Sequence, residues 1–227
     1  VIHHIPNVLS KAQVQQFRQV MDQVDWVNGK VTAGTLSATV KHNQQLPEDH
    51  PLTHELSNII LEALGKHELF LSAAIPLDII PPLFNRYQAS EAFGMHVDNA
   101  IRRIRGSNQR LRTDLSCTLF LSEPDEYEGG ELVIEDTYGY HDVKLPAGDL
   151  LLYPATSLHE VTAISSGCRV ASFFWVQSMI RDNADRHMLF NLDQSIQKLR
   201  MELGDTHAQV IQLTNMYHNL IRKWAEL

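Results

Sequence analysis

Little in this chain could cross-link it or hold it in a bilayer. Cys117 and Cys168 are its only cysteines. Both sit in apolar, strand-like runs, so free buried thiols are expected rather than a disulfide, with the cytoplasm as the expected compartment. No stretch reaches the roughly 18 uninterrupted apolar residues that a membrane helix requires. The opening Val1-Ile2-His3-His4-Ile5-Pro6 lacks the basic-then-apolar pattern of a secretion signal. Positive charge is in deficit: 19 Lys and Arg against 27 Asp and Glu leave a formal net charge of −8, which argues against a surface built for nucleic acid. Internal repeats and low-complexity tracts are absent. The 44% hydrophobic and 20% charged content suits one large domain with a substantial core.

One stretch departs from the acidic balance. Between Asp98 and Asp114 lie Arg102, Arg103, Arg105, Arg110 and Arg112 with no acidic residue among them. Such a run reads either as a solvated loop or as a flap that attracts an anionic partner.

Hydrophobic periodicity divides the chain into three regions. Residues 1–77 read as a helical support: Ser10 is a candidate N-cap for a helix carrying Val14, Phe17, Met21 and Val24 on one face. Pro51 opens a second helix, and residues 35–40 suggest an edge strand between the two. Over residues 78–178 the period shortens to that of strands. Apolar runs at Leu83–Gln88, Phe93–Asp98, Asp114–Ser122, Glu131–Asp136, His141–Leu145, Asp149–Tyr153, Glu160–Ile164 and Arg169–Gln177 alternate with turn signals such as Gly129-Gly130 and Pro146-Ala147-Gly148. Eight short strands at this spacing point to a sandwich or barrel-like jelly roll. Residues 179–227 return to helix as a hairpin broken at Gly204-Asp205, with Asp205 or Thr206 as the cap of its second helix. That hairpin is expected to pack on the sheet or to mediate homo-oligomerisation.

His96-Val97-Asp98, with His159 downstream, carries the chemistry. A lone His-x-Asp is weak, because 12 histidines supply roughly one by chance. Two apart on a strand, however, His96 and Asp98 face the same side. A strand over residues 96–98 is therefore predicted, with a second strand bringing His159 alongside. Two imidazoles and one carboxylate on one face, with open positions opposite, point to a non-haem iron(II) oxygenase. Arg169 heads an apolar strand, where its fork would be costly unless paired, and it suits a carboxylate. Tyr87 offers a hydroxyl to the same carboxylate. A zinc hydrolase motif is missing: His54, His67 and His159 each precede Glu, but none is followed by the second histidine of His-Glu-x-x-His.

These residues, together with Asn85-Arg86-Tyr87, Thr118-Leu119-Phe120-Leu121-Ser122, Gly129-Gly130-Glu131-Leu132, Leu145-Pro146-Ala147-Gly148-Asp149, Tyr153-Pro154 and His159-Glu160-Val161, resemble the prolyl 4-hydroxylase-like iron(II)/2-oxoglutarate dioxygenases of the PKHD type. Met188-Leu189-Phe190 and Tyr217-His218-Asn219-Leu220 extend the likeness over most of the chain. The resemblance implies a mainly β fold with flanking helices around a double-stranded β-helix (jelly-roll, cupin-like) core. It implies Fe(2+) held by His96, Asp98 and His159, and 2-oxoglutarate held by Arg169 with Tyr87 beside it. L-ascorbate is implied as reductant, and O2 as co-substrate. The implied activity is hydroxylation of an unactivated C–H bond in a prolyl or other amino-acid-type substrate, with succinate and CO2 as co-products. The alternative is a non-catalytic iron- or oxygen-sensing protein on the same fold.

Overall fold

The computed structural model describes residues 1–32, 37–104 and 106–227. The main strands of the central region are shared between two antiparallel sheets, the jelly-roll pattern, while Ile101–Arg103 with Arg110–Arg112 and Tyr127–Gly129 with Ile164–Gly167 form separate two-stranded pairs. Leu83–Tyr87, Leu115–Phe120, Leu150–Pro154 and Arg169–Ser178 lie in the larger sheet. Ala92–His96, Leu132–Asp136 and His159–Val161 lie in the smaller one. The larger sheet runs in the order His3–Ile5, Leu150–Pro154, Leu115–Phe120, Arg169–Ser178, Leu83–Tyr87, Gln44–Gln45, Val27–Asn28, with Pro76–Ile79 also pairing with Arg169–Ser178. The smaller runs Gly139–Val143, Leu132–Asp136, His159–Val161, Ala92–His96, Lys41–His42.

Period-two alternation sorts the side chains of the larger sheet. Leu115, Cys117, Leu119, Leu150, Leu152, Val170, Phe174 and Val176 face the helices and form the main core. Phe120, Leu151 and Tyr153 face the smaller sheet and meet Leu132, Ile134 and Val161 there. The helices Lys11–Met21, Pro51–Gly65 and Glu68–Ala74 supply Phe17, Met21, Leu56, Ile60 and Phe70 to the main core. Ser10 caps the first in a capping box with Gln13, and Pro51 occupies the first turn of the second, where a missing N–H costs nothing. Both cysteines are free, Cys117 fully buried and Cys168 partly so. No helix among the described residues is long and apolar enough to cross a membrane.

Several local expectations are corrected. The N-terminal region is not helical alone: His3–Ile5, Val27–Asn28, Lys41–His42 and Gln44–Gln45 extend the two sheets. The edge strand expected over 35–40 lies partly outside the described residues, and Ser37–Val40 is a single helical turn. The first helix stops at Met21, so Val24 packs on the core from beyond its end. The hairpin helices span Asn183–Leu203 and Ala208–Trp224, and the second is capped at His207. Asp205 instead accepts from Arg200 Nε at 2.7 Å, which removes it from capping.

Gly148 shows how tightly the N-terminal segment seats on the sheet. Its φ is +95°, and a Cβ there would lie 2.2 Å from the Leu9 carbonyl oxygen. Gly148→Ala should cost about 2 kcal/mol or more through strain, lowering Tm by about 4 °C or more for a domain of this size. Thermal denaturation would check this, and an unchanged midpoint would contradict the close approach.

Candidate metal centre

The two histidines meet because of strand register. His159 opens the strand His159–Val161 and its Cα partner is His96, the last residue of Ala92–His96. Their rings lie 4.3 Å apart between centroids. The strand predicted over 96–98 ends at His96, so Asp98 is reached by the chain after it leaves the sheet. A hydrogen bond, rather than strand alternation, sets the carboxylate: Ser116 Oγ donates to Asp98 Oδ2 at 2.6 Å. One ligand atom from each of His96, Asp98 and His159 lies within 4.8 Å of the others, the one such group of three among the described residues.

The hydrogen bonds prepare both imidazoles for a cation. His96 Nδ1 lies 2.8 Å from the Gly94 carbonyl oxygen and His159 Nδ1 lies 3.0 Å from that of Ser157. A carbonyl only accepts, so each Nδ1 carries the proton and each neutral ring keeps its lone pair on Nε2. Burial, reinforced by His159, lowers the His96 pKa to about 4, so this ring is neutral at pH 7. Phe93 stacks on His96 at 3.6 Å between centroids, and Tyr153 meets His159 edge-on at 5.3 Å. An N,N,O donor set on one side fits a divalent transition metal that needs open positions.

The triad lines a partly enclosed cavity of about 70 Å³, and Arg169 and Tyr87 line it as well. Arg169 and Tyr87 are Cα partners on neighbouring strands. The arginine is 1% exposed, and its Nε and Nη2 meet no acceptor at hydrogen-bonding geometry among the described residues. Aromatic rings flank it: Tyr87 at 5.5 Å and Phe120 at 5.2 Å from the guanidinium carbon. A buried guanidinium costs several kcal/mol unless an anion answers it. Burial pushes the Tyr87 phenol up to about 12, against the pull of Arg169, so it remains a donor. Tyr127, which sequence reasoning missed, has its buried hydroxyl beside Arg169, which pulls the phenol pKa down against the larger rise from burial. Its place just before Gly129-Gly130 was the available signal.

The arginine-rich segment does not act as one flap. It forms a hairpin, Ile101–Arg103 with Arg110–Arg112. Arg112 is committed to structure: Nε and Nη2 donate to Asp114 at 2.6 and 3.1 Å, and Nη1 donates to Glu226 at 2.8 Å. Arg103 bonds within the hairpin turn, to the Ser107 carbonyl and Asn108. Arg110 is exposed, and Arg105 lies outside the described residues. Only Arg102 among the described arginines of this segment lines the cavity, joined there by Lys41.

Ser116 gives this geometry a test that leaves all three ligands in place. Ser116→Ala should weaken divalent-metal binding about 10- to 100-fold, the usual effect of losing a group that orients a ligand. Calorimetric titration with Mn(II) would measure it, and equal affinity would remove Ser116 from the site.

Comparison with known proteins bears on the same residues. A model described as the 2OG-Fe(II) oxygenase superfamily matches residues 82–177, and one described as the PKHD-type hydroxylase C-terminal domain matches residues 183–226. A PKHD-type hydroxylase of Acinetobacter baumannii strain AYE is 82% identical over 227 residues, all of both chains. Another from Burkholderia cenocepacia strain HI2424 is 59% identical over 223 residues, 98% of each chain. Among solved structures, a Pseudomonas putida prolyl-4-hydroxylase aligns with TM-score 0.52 at 19% identity, covering 78% of this chain and 92% of that one, a likeness of fold. With a jelly roll, a His-Asp-His cluster in its cavity and identity of this extent over the full length, the chain belongs to the PKHD-type hydroxylases of the 2OG-Fe(II) oxygenase superfamily.

Proposed function

We propose that the protein is an iron(II)- and 2-oxoglutarate-dependent dioxygenase that hydroxylates an unactivated C–H bond of a prolyl or other amino-acid-type substrate. The observation that carries this reading is Arg169, a buried guanidinium that pairs with no carboxylate among the described residues and lines the same cavity as His96, Asp98 and His159. A two-histidine, one-carboxylate set alone would also serve zinc. A nearby cation in want of a carboxylate favours a metal site that works with an acid co-substrate.

In this reading His96 Nε2, His159 Nε2 and an oxygen of Asp98 hold the iron. When bound, iron(II) with 2-oxoglutarate supplies dioxygen activation and oxygen insertion, with succinate and CO2 as co-products. Arg169 takes the distal carboxylate of 2-oxoglutarate through a charge-assisted fork. The Tyr87 hydroxyl would donate to the same carboxylate, with Tyr127 and Phe120 beside the guanidinium. Ser116 fixes the Asp98 carboxylate, while Gly94 and Ser157 fix the two rings. L-Ascorbate would serve as reductant, and the cytoplasm would be the compartment that free thiols favour. Residues 78–178 would carry the chemistry, residues 1–77 would support it, and the hairpin of residues 179–227 would serve packing or self-association.

Two measurements test the reading. Adding Fe(II) and 2-oxoglutarate without oxygen should give a visible charge-transfer band, lost in His96→Ala. A folded wild type with no band would sink the assignment. Arg169→Met should melt no lower than wild type without ligand, because an unpaired buried charge is removed. It should bind 2-oxoglutarate at least about 30-fold more weakly, as breaking a buried ion pair costs about 2–5 kcal/mol. Iron affinity should be spared, and undiminished co-substrate affinity would exclude Arg169 from the site.

A further inference from the structure

The co-substrate reading uses Arg169, and two further basic side chains, Lys41 and Arg102, line the same cavity. Lys41 enters from the edge of the smaller sheet, where its Cα partner is Phe93. Its Nζ lies 5.3 Å from the Phe93 ring and 5.5 Å from the Phe173 ring, and donates to Gln45 Oε1 at 3.1 Å. Arg102 comes from the hairpin that follows Asp98, and its guanidinium carbon lies 3.9 Å over the Trp175 ring. Among the described residues it forms no hydrogen bond or salt bridge. Asp98 and Glu48 are the acidic groups whose fields reach it. Stacking on Trp175 holds the guanidinium plane still while its N–H groups stay available.

Both cations sit toward the other end of the strand from Arg169. Arg169, Phe173 and Trp175 share one face of that strand; at a strand's rise Phe173, which Lys41 meets, is about 13 Å along from Arg169, and Trp175, which Arg102 covers, about 20 Å. The metal ligands belong to the Trp175 end: Ser116, which holds Asp98, is the Cα partner of Trp175. A 2-oxoglutarate anchored on Arg169 would use its other carboxylate at the metal, leaving none for Lys41 and Arg102. The two cations repel each other in a partly enclosed space. Burial and the nearby Arg102 lower the Lys41 pKa to about 7, against the opposing pull of Asp98 and Glu48. An anion between them would relieve that repulsion, and the walls of Phe93, Phe173 and Trp175 would strengthen its binding by excluding water.

We propose that Lys41 and Arg102 recognise a carboxylate on the molecule being oxidised, which is either a free carboxylic acid or an acidic residue within a peptide. This rests on the oxygenase reading of the cavity and adds a substrate class to it. The aromatic walls would take the apolar part of that molecule and hold it beside the metal.

The test uses the full chain, anaerobically loaded with Fe(II) and saturating 2-oxoglutarate, so that the Arg169 end is filled. N-acetyl amino acids and their carboxamides form one calorimetric series. N-acetylated, C-amidated tripeptides with central Glu or Gln form the other. At least one carboxylate should bind about 10-fold or more tighter than its amide, as expected for a charge-assisted fork. Preference in the first series alone identifies a free acid, and preference in the second identifies a peptide. In Arg102→Gln the preference should fall to about twofold or less, with 2-oxoglutarate affinity changed by no more than about twofold. Arg102→Lys, which keeps the charge without the stacked plane, should retain part of it. No carboxylate preference in either series, preference intact in Arg102→Gln, or preference lost together with 2-oxoglutarate affinity would each overturn the proposal. A wild type that binds neither Fe(II) nor 2-oxoglutarate would instead overturn the oxygenase reading itself.

Discussion

The pairing of His96 with His159 is the constraint on which the site depends. Side chains alternate along a strand, so a slip of one residue would turn either ring out of the cavity. The smaller sheet prevents this on both sides, with Leu132–Asp136 held against His159–Val161 and Lys41–His42 held against Ala92–His96. The same local device then sets each ring. A backbone carbonyl two residues earlier, from Gly94 or Ser157, receives the Nδ1 proton. Register fixes where the imidazoles are, and the carbonyls fix which nitrogen they offer. Asp98 is positioned differently, by a hydroxyl from the larger sheet. The metal site therefore needs both sheets, and it should form only when the jelly roll closes.

The larger sheet carries the opposite kind of demand. Its helix-facing side is apolar and stabilises the fold, whereas its cavity side holds a buried guanidinium, which is costly unless an anion answers it. Arg169 can sit there because Tyr87 and Phe120 present ring faces to it, and cation–π attraction offsets part of the lost hydration. The remainder is a debt that co-substrate binding would settle. Such an arrangement couples stability to occupancy, since a ligand that binds only the folded state stabilises it by mass action.

Much of this was legible in the sequence because it rests on local pattern. His96, His159 and Arg169 stand at strand ends that alternating apolar runs and turn residues mark out, with Asp98 two residues beyond one of them. Ser10, too, announces its helix through Gln13 three residues on. What was not legible depends on partners distant in sequence. Two-residue strands such as Lys41–His42 and Gln44–Gln45 are too short to show a period, so nothing local placed Lys41 in the cavity. His207 caps a helix without a side-chain bond, and Asp205 is drawn off by Arg200, so cap chemistry pointed to the wrong residue. The arginine run misled in a related way. Charge density suggested one shared role, whereas Arg112 and Arg102 are separated by what each meets after folding.

That separation says how the cavity mouth is held. Thr113 donates its hydroxyl to the Asn99 carbonyl at 2.7 Å and its N–H to that of Ala100 at 2.9 Å, closing the base of the hairpin just beyond Asp98. Arg112 then fastens the returning strand to Asp114, whose Oδ2 also accepts from the Ser178 N–H at 2.9 Å. Asp114 is buried, and this bidentate pair sits where few waters compete, so it anchors the hairpin. The bond from Arg112 to Glu226 differs, because that carboxylate is half exposed and such pairs contribute about 0–1 kcal/mol. The C-terminal tail, bonded to Met179 through the Glu226 N–H, is therefore placed to tune the mouth and not to hold it. Arg102 projects from a hairpin fixed at its base, and this rigidity is what allows one arginine to serve recognition while its neighbour serves structure.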